Sequence, residues 1–196
     1  MNADAFSDLV LALVCARIFF RRIRDMPGLA IPALLVGVAA CFGVLRFSGV
    51  VVALGPHRYA SLFAACAAFP LLSYSLRFPD DPIARRLTAA SRLAFLLGGI
   101  GVAAAVLGAG KWGDVAAALS ALFILWTMLF ARDSLRLFGA LALIAGFGVT
   151  LAFAPDAHFG FVTPVQGLHY LLCLAFVALM LPRRQDPVEH ARDHRA

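Results

Sequence analysis

The sequence predicts an all-α, polytopic membrane protein, a bundle of seven transmembrane helices with the N-terminus outside and the C-terminus inside. Three observations predict it. Hydrophobic residues make up 62% of the 196 and charged residues only 14%, whereas a soluble domain is nearer half apolar and a quarter charged. The apolar residues fall in seven runs of near-membrane length. The arginines gather in short clusters between alternate runs.

The runs cover residues 6–20, 29–50, 58–76, 92–109, 115–131, 137–154 and 164–181. Crossing the hydrocarbon takes roughly 20 residues, and backbone groups in lipid must be satisfied within the segment, so the runs are read as helices. The first run is short and extends outward through Asp4 and Asp8. These acids precede the run and the arginines follow it, the reverse of a cleaved signal, so the segment is expected to stay as a span. Pro32 and Pro70 fall inside the second and third runs and are expected to bend them. Gly98, Gly99, Gly101, Gly139, Gly146 and Gly148 are expected to let helices approach closely. Short connections make sequential helices antiparallel neighbours. Residues 1–182 thus form one transmembrane domain, and 183–196 a polar cytoplasmic tail.

Orientation follows from the cations. With the N-terminus outside, the inside holds Arg21, Arg22, Arg24, Arg77, Arg85, Arg86, Arg92, Arg132, Arg136, Arg183, Arg184, Arg192 and Arg195, and the outside only Arg46, Arg58 and Lys111. Arg17 sits within the first helix. This is a strong positive-inside asymmetry and requires an odd number of spans. The net charge of +6 is therefore read as topology and contact with anionic lipid, which makes membrane lipids the expected partners and excludes nucleic acid. Lys111 is the only lysine; the arginine bias points to a GC-rich bacterial genome and so to a bacterial inner membrane. Cys15, Cys41, Cys66 and Cys173 lie in apolar runs without metal-type spacing, and are expected to be buried, unlinked thiols.

The polar residues that could carry chemistry collect on the outer side. Ser7 and Asp8 lie at the outer end of the first helix, Arg46 at that of the second, and His57 just before the third. Asp114 opens the fifth helix; Asp156 and His158 follow in the last outer loop, and Gln166 and His169 in the first turns of the last helix. An ionisable group inside a span is a functional candidate, which singles out Asp8, Arg46 and His169; they are expected to meet. The plainer expectation is an Asp8–Arg46 ion pair, with His169 bonded to a backbone carbonyl. Zinc hydrolysis wants three protein ligands and a water. Asp8, His57, His158 and His169 supply enough donors, but none at helical spacing. The last span has no lysine, which excludes an opsin-type Schiff base.

The opening Ser7-Asp8-Leu9-Val10-Leu11-Ala12, with Ala154-Pro155-Asp156-Ala157-His158-Phe159 and Leu168-His169-Tyr170-Leu171-Leu172, resembles small bacterial seven-span proteins distantly similar to the alkaline ceramidase and adiponectin-receptor-like hydrolases. The resemblance implies a zinc site with His169 as the last-helix ligand and Asp8 beside the metal. Helix two ends Gly43-Val44-Leu45-Arg46-Phe47-Ser48-Gly49, without the family's histidine, and Cys173 stands where a second last-helix histidine would be. The leading expectation is lipid-related binding or an accessory role at an outward-facing polar pocket. The alternatives are a metal-dependent lipid hydrolase and a small transporter or channel subunit. Against the last, the sequence has no internal repeat.

Overall fold

A computed structural model describes residues 2–154 and 162–180. Among them it shows α1 (Ala3–Arg22), α2 (Pro27–Phe47), a 3-10 turn (Val51–Ala53), α3 (Leu54–Arg77), the short α4 (Pro82–Arg85), α5 (Leu87–Val106), α6 (Trp112–Ala131), α7 (Ser134–Ala152) and α8 (Pro164–Met180). The fold is all-α, and seven long helices stand where the seven apolar runs were read. The 3-10 turn and α4 were not foreseen.

Local chemistry sets the helix boundaries. Asn2 caps α1 by accepting from Ala5 N at 2.9 Å. α2 stops at Phe47, not at 50, because Gly49 takes φ +95°. The Gly49 and Val50 amides then bond back to the Arg46 and Leu45 carbonyls, the paired closure that a left-handed glycine permits. Gly108, at φ +97°, ends α5 at Val106 in the same way, with Gly108 and Ala109 amides returning to Ala105 and Ala104. At its other end α5 begins at Leu87, five residues before the run read from Arg92. His57, expected just before the third helix, lies within α3. Asp133 caps α7.

Helices α1, α2, α3, α6, α7 and α8 pack in that order into a ring, which α8 closes against α1. One apolar core runs through all six, from Leu11 and Ile18 through Ala33, Phe69 and Ile124 to Leu143 and Phe176. Helix α5 stands outside the ring on α3 and barely meets α6, contrary to the expectation that sequential helices are neighbours. Its own surface explains this. Ala90, Ala94, Gly98 and Gly101 form a buried stripe; a methyl group on Gly98 would strike the Phe63 ring, and one on Gly101 the Cys66 side chain. Gly139 and Gly146 also abut a neighbour, α8, whereas Gly99 and Gly148 face open space and hold nothing close.

Five helices are long and apolar enough to cross a membrane: α2, α3 with its preceding turn, α5, α6 and α7. Large apolar side chains such as Phe20, Phe95, Leu119 and Phe130 point outward. Such a surface calls for lipid as its solvent, and the chain is built as an integral membrane protein. Helix α8 is apolar but shorter, at 17 residues. Helix α1 is more polar, since Asp4, Asp8, Arg17, Arg21 and Arg22 fall within it. Arg22 Nε donates to the Met180 carbonyl and ties α1 to the described end of α8.

Candidate functional site

At the end of the bundle where α1 begins, α1 and α8 meet through polar groups. Ser7 is fully buried and Asp8 only 1% exposed. The Ser7 hydroxyl donates to the Asp4 carbonyl at 2.8 Å and lies 3.0 Å from His169 Nδ1. A hydroxyl has one proton, and the carbonyl takes it, so Nδ1 carries the hydrogen and donates to Ser7 Oγ. The same Nδ1 is 3.5 Å from Asp8 Oδ1. His169 Nε2 is then left as an acceptor.

This arrangement does not activate Ser7 as a nucleophile. A Ser-His-Asp relay places the serine and the carboxylate on opposite ring nitrogens; here both meet Nδ1. The other oxygen of Asp8, Oδ2, is buried without a hydrogen-bond partner among the described residues. It is pressed against Gly43 of α2, where any added Cβ would collide with the carboxyl group.

A second clamp holds α8 from above. Thr163 and Gln166 form a capping box: the Gln166 amide donates to Thr163 Oγ1, and the Thr163 amide donates to Gln166 Oε1. Gln166 Nε2 also donates to Asp4 Oδ1 at 2.6 Å, and Thr163 Oγ1 to the same oxygen at 3.4 Å. Asp4 was not among the expected site residues, and the Thr163–Gln166 spacing, a capping-box pattern, was not read from the sequence.

Below these clamps lies a cavity of about 320 Å³. Asp8, His57, Asp114, Thr150 and His169 reach it near the helix ends, and Leu11, Val36, Phe69 and Leu172 line it deeper along the helices. The cavity therefore has a polar end and an apolar body. Asp114, noted in the sequence at the outer end of its helix, also lines it, and Ser61 and Thr150 join the expected residues here; nothing in the sequence surroundings of these last two marked them.

The expected convergence is met in part. Asp8 and His169 come together. Arg46 does not join them: its guanidinium stacks on Phe47, 4.8 Å from the ring centre, and makes no ion pair with Asp8. Arg46 is exposed in the last turn of α2. The backbone-carbonyl contact expected of His169 occurs at His57, whose Nδ1 lies 3.2 Å from the Ala39 carbonyl. His158 and Asp156 lie outside the described residues. Cys15, Cys66 and Cys173 are buried and free as expected; Cys41 is free but exposed, on the outward face of α2.

A zinc site fits these residues poorly. Asp8 and His169 share one contact, but among the described residues no three His, Cys, Asp or Glu side chains converge as ligands. Compared with known proteins, the chain matches no family model, no curated protein and no solved structure.

Proposed function

We propose that the chain crosses the bacterial inner membrane seven times, N-terminus outside, and that its cavity binds a membrane amphiphile. The observation that carries this reading is the cavity's graded lining. A polar head would meet His57, Asp114, Thr150 and His169, while an acyl chain would lie against Leu11, Val36, Phe69 and Leu172. A volume of about 320 Å³ is at the small end of ligand pockets, enough for a head and the first part of a chain. The arginine clusters lie at the opposite end of the bundle, which favours this end as the outer one.

The test is lipid extraction from the purified chain, followed by mass spectrometry. The expected result is a bound amphiphile that is lost when Ser61→Trp fills the cavity mouth without unfolding the protein. Equal lipid recovery from the variant refutes the reading. The hydrolase alternative rests on the resemblance and on His169; stoichiometric zinc in the purified protein would favour it, with His158 as a further ligand.

A further inference from the structure

At the end of the bundle opposite the cavity, α3, α6 and α7 leave a groove of about 480 Å³ between them. We propose that this groove binds the phosphate headgroup of an anionic membrane phospholipid. Its two cations come from different helices: Arg77 from the last turn of α3 and Arg136 from the first turn of α7.

Both guanidiniums have donors to spare. Arg77 stacks on Phe78, 5.3 Å from the ring centre, and makes no hydrogen bond or ion pair among the described residues. Arg136 is aimed by Asp133, which caps α7 through the Arg136 amide and lies 3.4 Å from Nε. That contact uses the inner edge of the guanidinium; its two terminal nitrogens make no hydrogen bond among the described residues. Among the described residues one carboxylate offsets one of the two cations, which leaves the groove a net positive charge. A guanidinium fork matches a phosphate.

The other wall identifies the anion as a lipid. Trp126 and Phe130, one turn apart on α6, meet with ring centres 4.7 Å apart and planes tilted by 57°, and are 59% and 69% exposed. A free phosphate has no use for exposed aromatic rings, whereas a phospholipid would lay its acyl chains along them. Tryptophan beside arginine at a helix end is also the pairing expected at the headgroup level.

Trp126 supplies the readout. In the full chain carrying Trp112→Phe, it is the sole tryptophan, so brominated lipid bound in the groove should quench its fluorescence. Titration in detergent with brominated phosphatidylglycerol should give saturable quenching at lower concentrations than brominated phosphatidylcholine. Each arginine near an anionic headgroup is worth about fivefold in affinity. Arg77→Gln, which removes no hydrogen bond or ion pair among the described residues, should weaken the phosphatidylglycerol response about that much, and Arg77→Gln with Arg136→Gln should weaken it further. Arg132→Gln, exposed and outside the groove, should leave it unchanged, and inorganic phosphate should not reverse it. Equal quenching by the two lipids overturns the proposal. So does an Arg132→Gln loss matching that of Arg77→Gln, which would mean diffuse surface charge. Reversal by inorganic phosphate would show an anion site with no lipid preference, and overturns it equally.

Discussion

Gly43→Ala tests whether Asp8 is held where the α1–α8 contact needs it. A Cβ at Gly43 would sit 2.6 Å from Asp8 Cγ and 2.7 Å from Oδ1, far inside contact distance. The carboxyl group cannot yield cheaply, since Asp8 is 1% exposed and its Oδ1 already faces His169 Nδ1 at 3.5 Å. Overpacking a tight site costs about 1–3 kcal/mol. At about 2–4 °C per kcal/mol for a chain of this size, the melting temperature in detergent should fall by roughly 2–12 °C. The controls are Gly99→Ala and Gly148→Ala, which meet nothing within 4 Å and should hold or gain stability, since alanine is the better helix former. The decisive measurement is the double variant with Asp8→Ala. Removing the carboxyl removes the obstacle, so the two substitutions should be less than additive by about 0.5–3 kcal/mol. Strict additivity, or a silent Gly43→Ala, refutes the packing argument.

Three further outcomes are expected. Arg46→Ala removes only an exposed stacking contact and should cost no more than about 1 kcal/mol by thermal denaturation; a loss of about 3–5 kcal/mol would restore the ion pair with Asp8. Asp4→Ala strips the acceptor from Gln166, itself 5% exposed, and should destabilise by about 1–3 kcal/mol, with Asp4→Asn recovering part of it; a neutral Asp4→Ala would show that the clamp on α8 carries no weight. Under native conditions in detergent, a small maleimide should modify Cys41 alone, and denaturation should expose Cys15, Cys66 and Cys173; peptide mapping that finds Cys66 labelled first would contradict the packing of α5 on α3.

The span-length helices were legible because lipid demands long apolar runs and the chain supplies them between arginine clusters. Their ends were less legible, for a definable reason. Apolar residues continue past both Phe47 and Val106, so hydropathy does not mark the stop; Gly49 and Gly108 do, through a backbone conformation that hydropathy does not register. Asp8 and His169 were legible as ionisable groups within apolar runs. The Gly43 contact was not, because α2 is apolar on every face and offers no polar–apolar contrast from which to read its rotation. The displacement of α5 was encoded in Ala90, Ala94, Gly98 and Gly101, a small-residue stripe along one helix face, but the short connection to α6 suggested a different neighbour.

The pairing of Ser7 with His169 joins residues 162 positions apart, which has a consequence for biogenesis. At synthesis rates of about 5–20 residues per second, α1 leaves the ribosome roughly 8–30 seconds before α8 can meet it. Through that interval Asp8 has no His169 beside it, and the Arg22 guanidinium lacks the carbonyl of Met180. The nascent chain therefore holds its least apolar helix in waiting while the others insert. An insertion chaperone or the translocon's own polar interior is the natural shelter for such a helix, and a chain stalled before α8 would display an unpaired carboxyl to the proteases that clear failed membrane proteins.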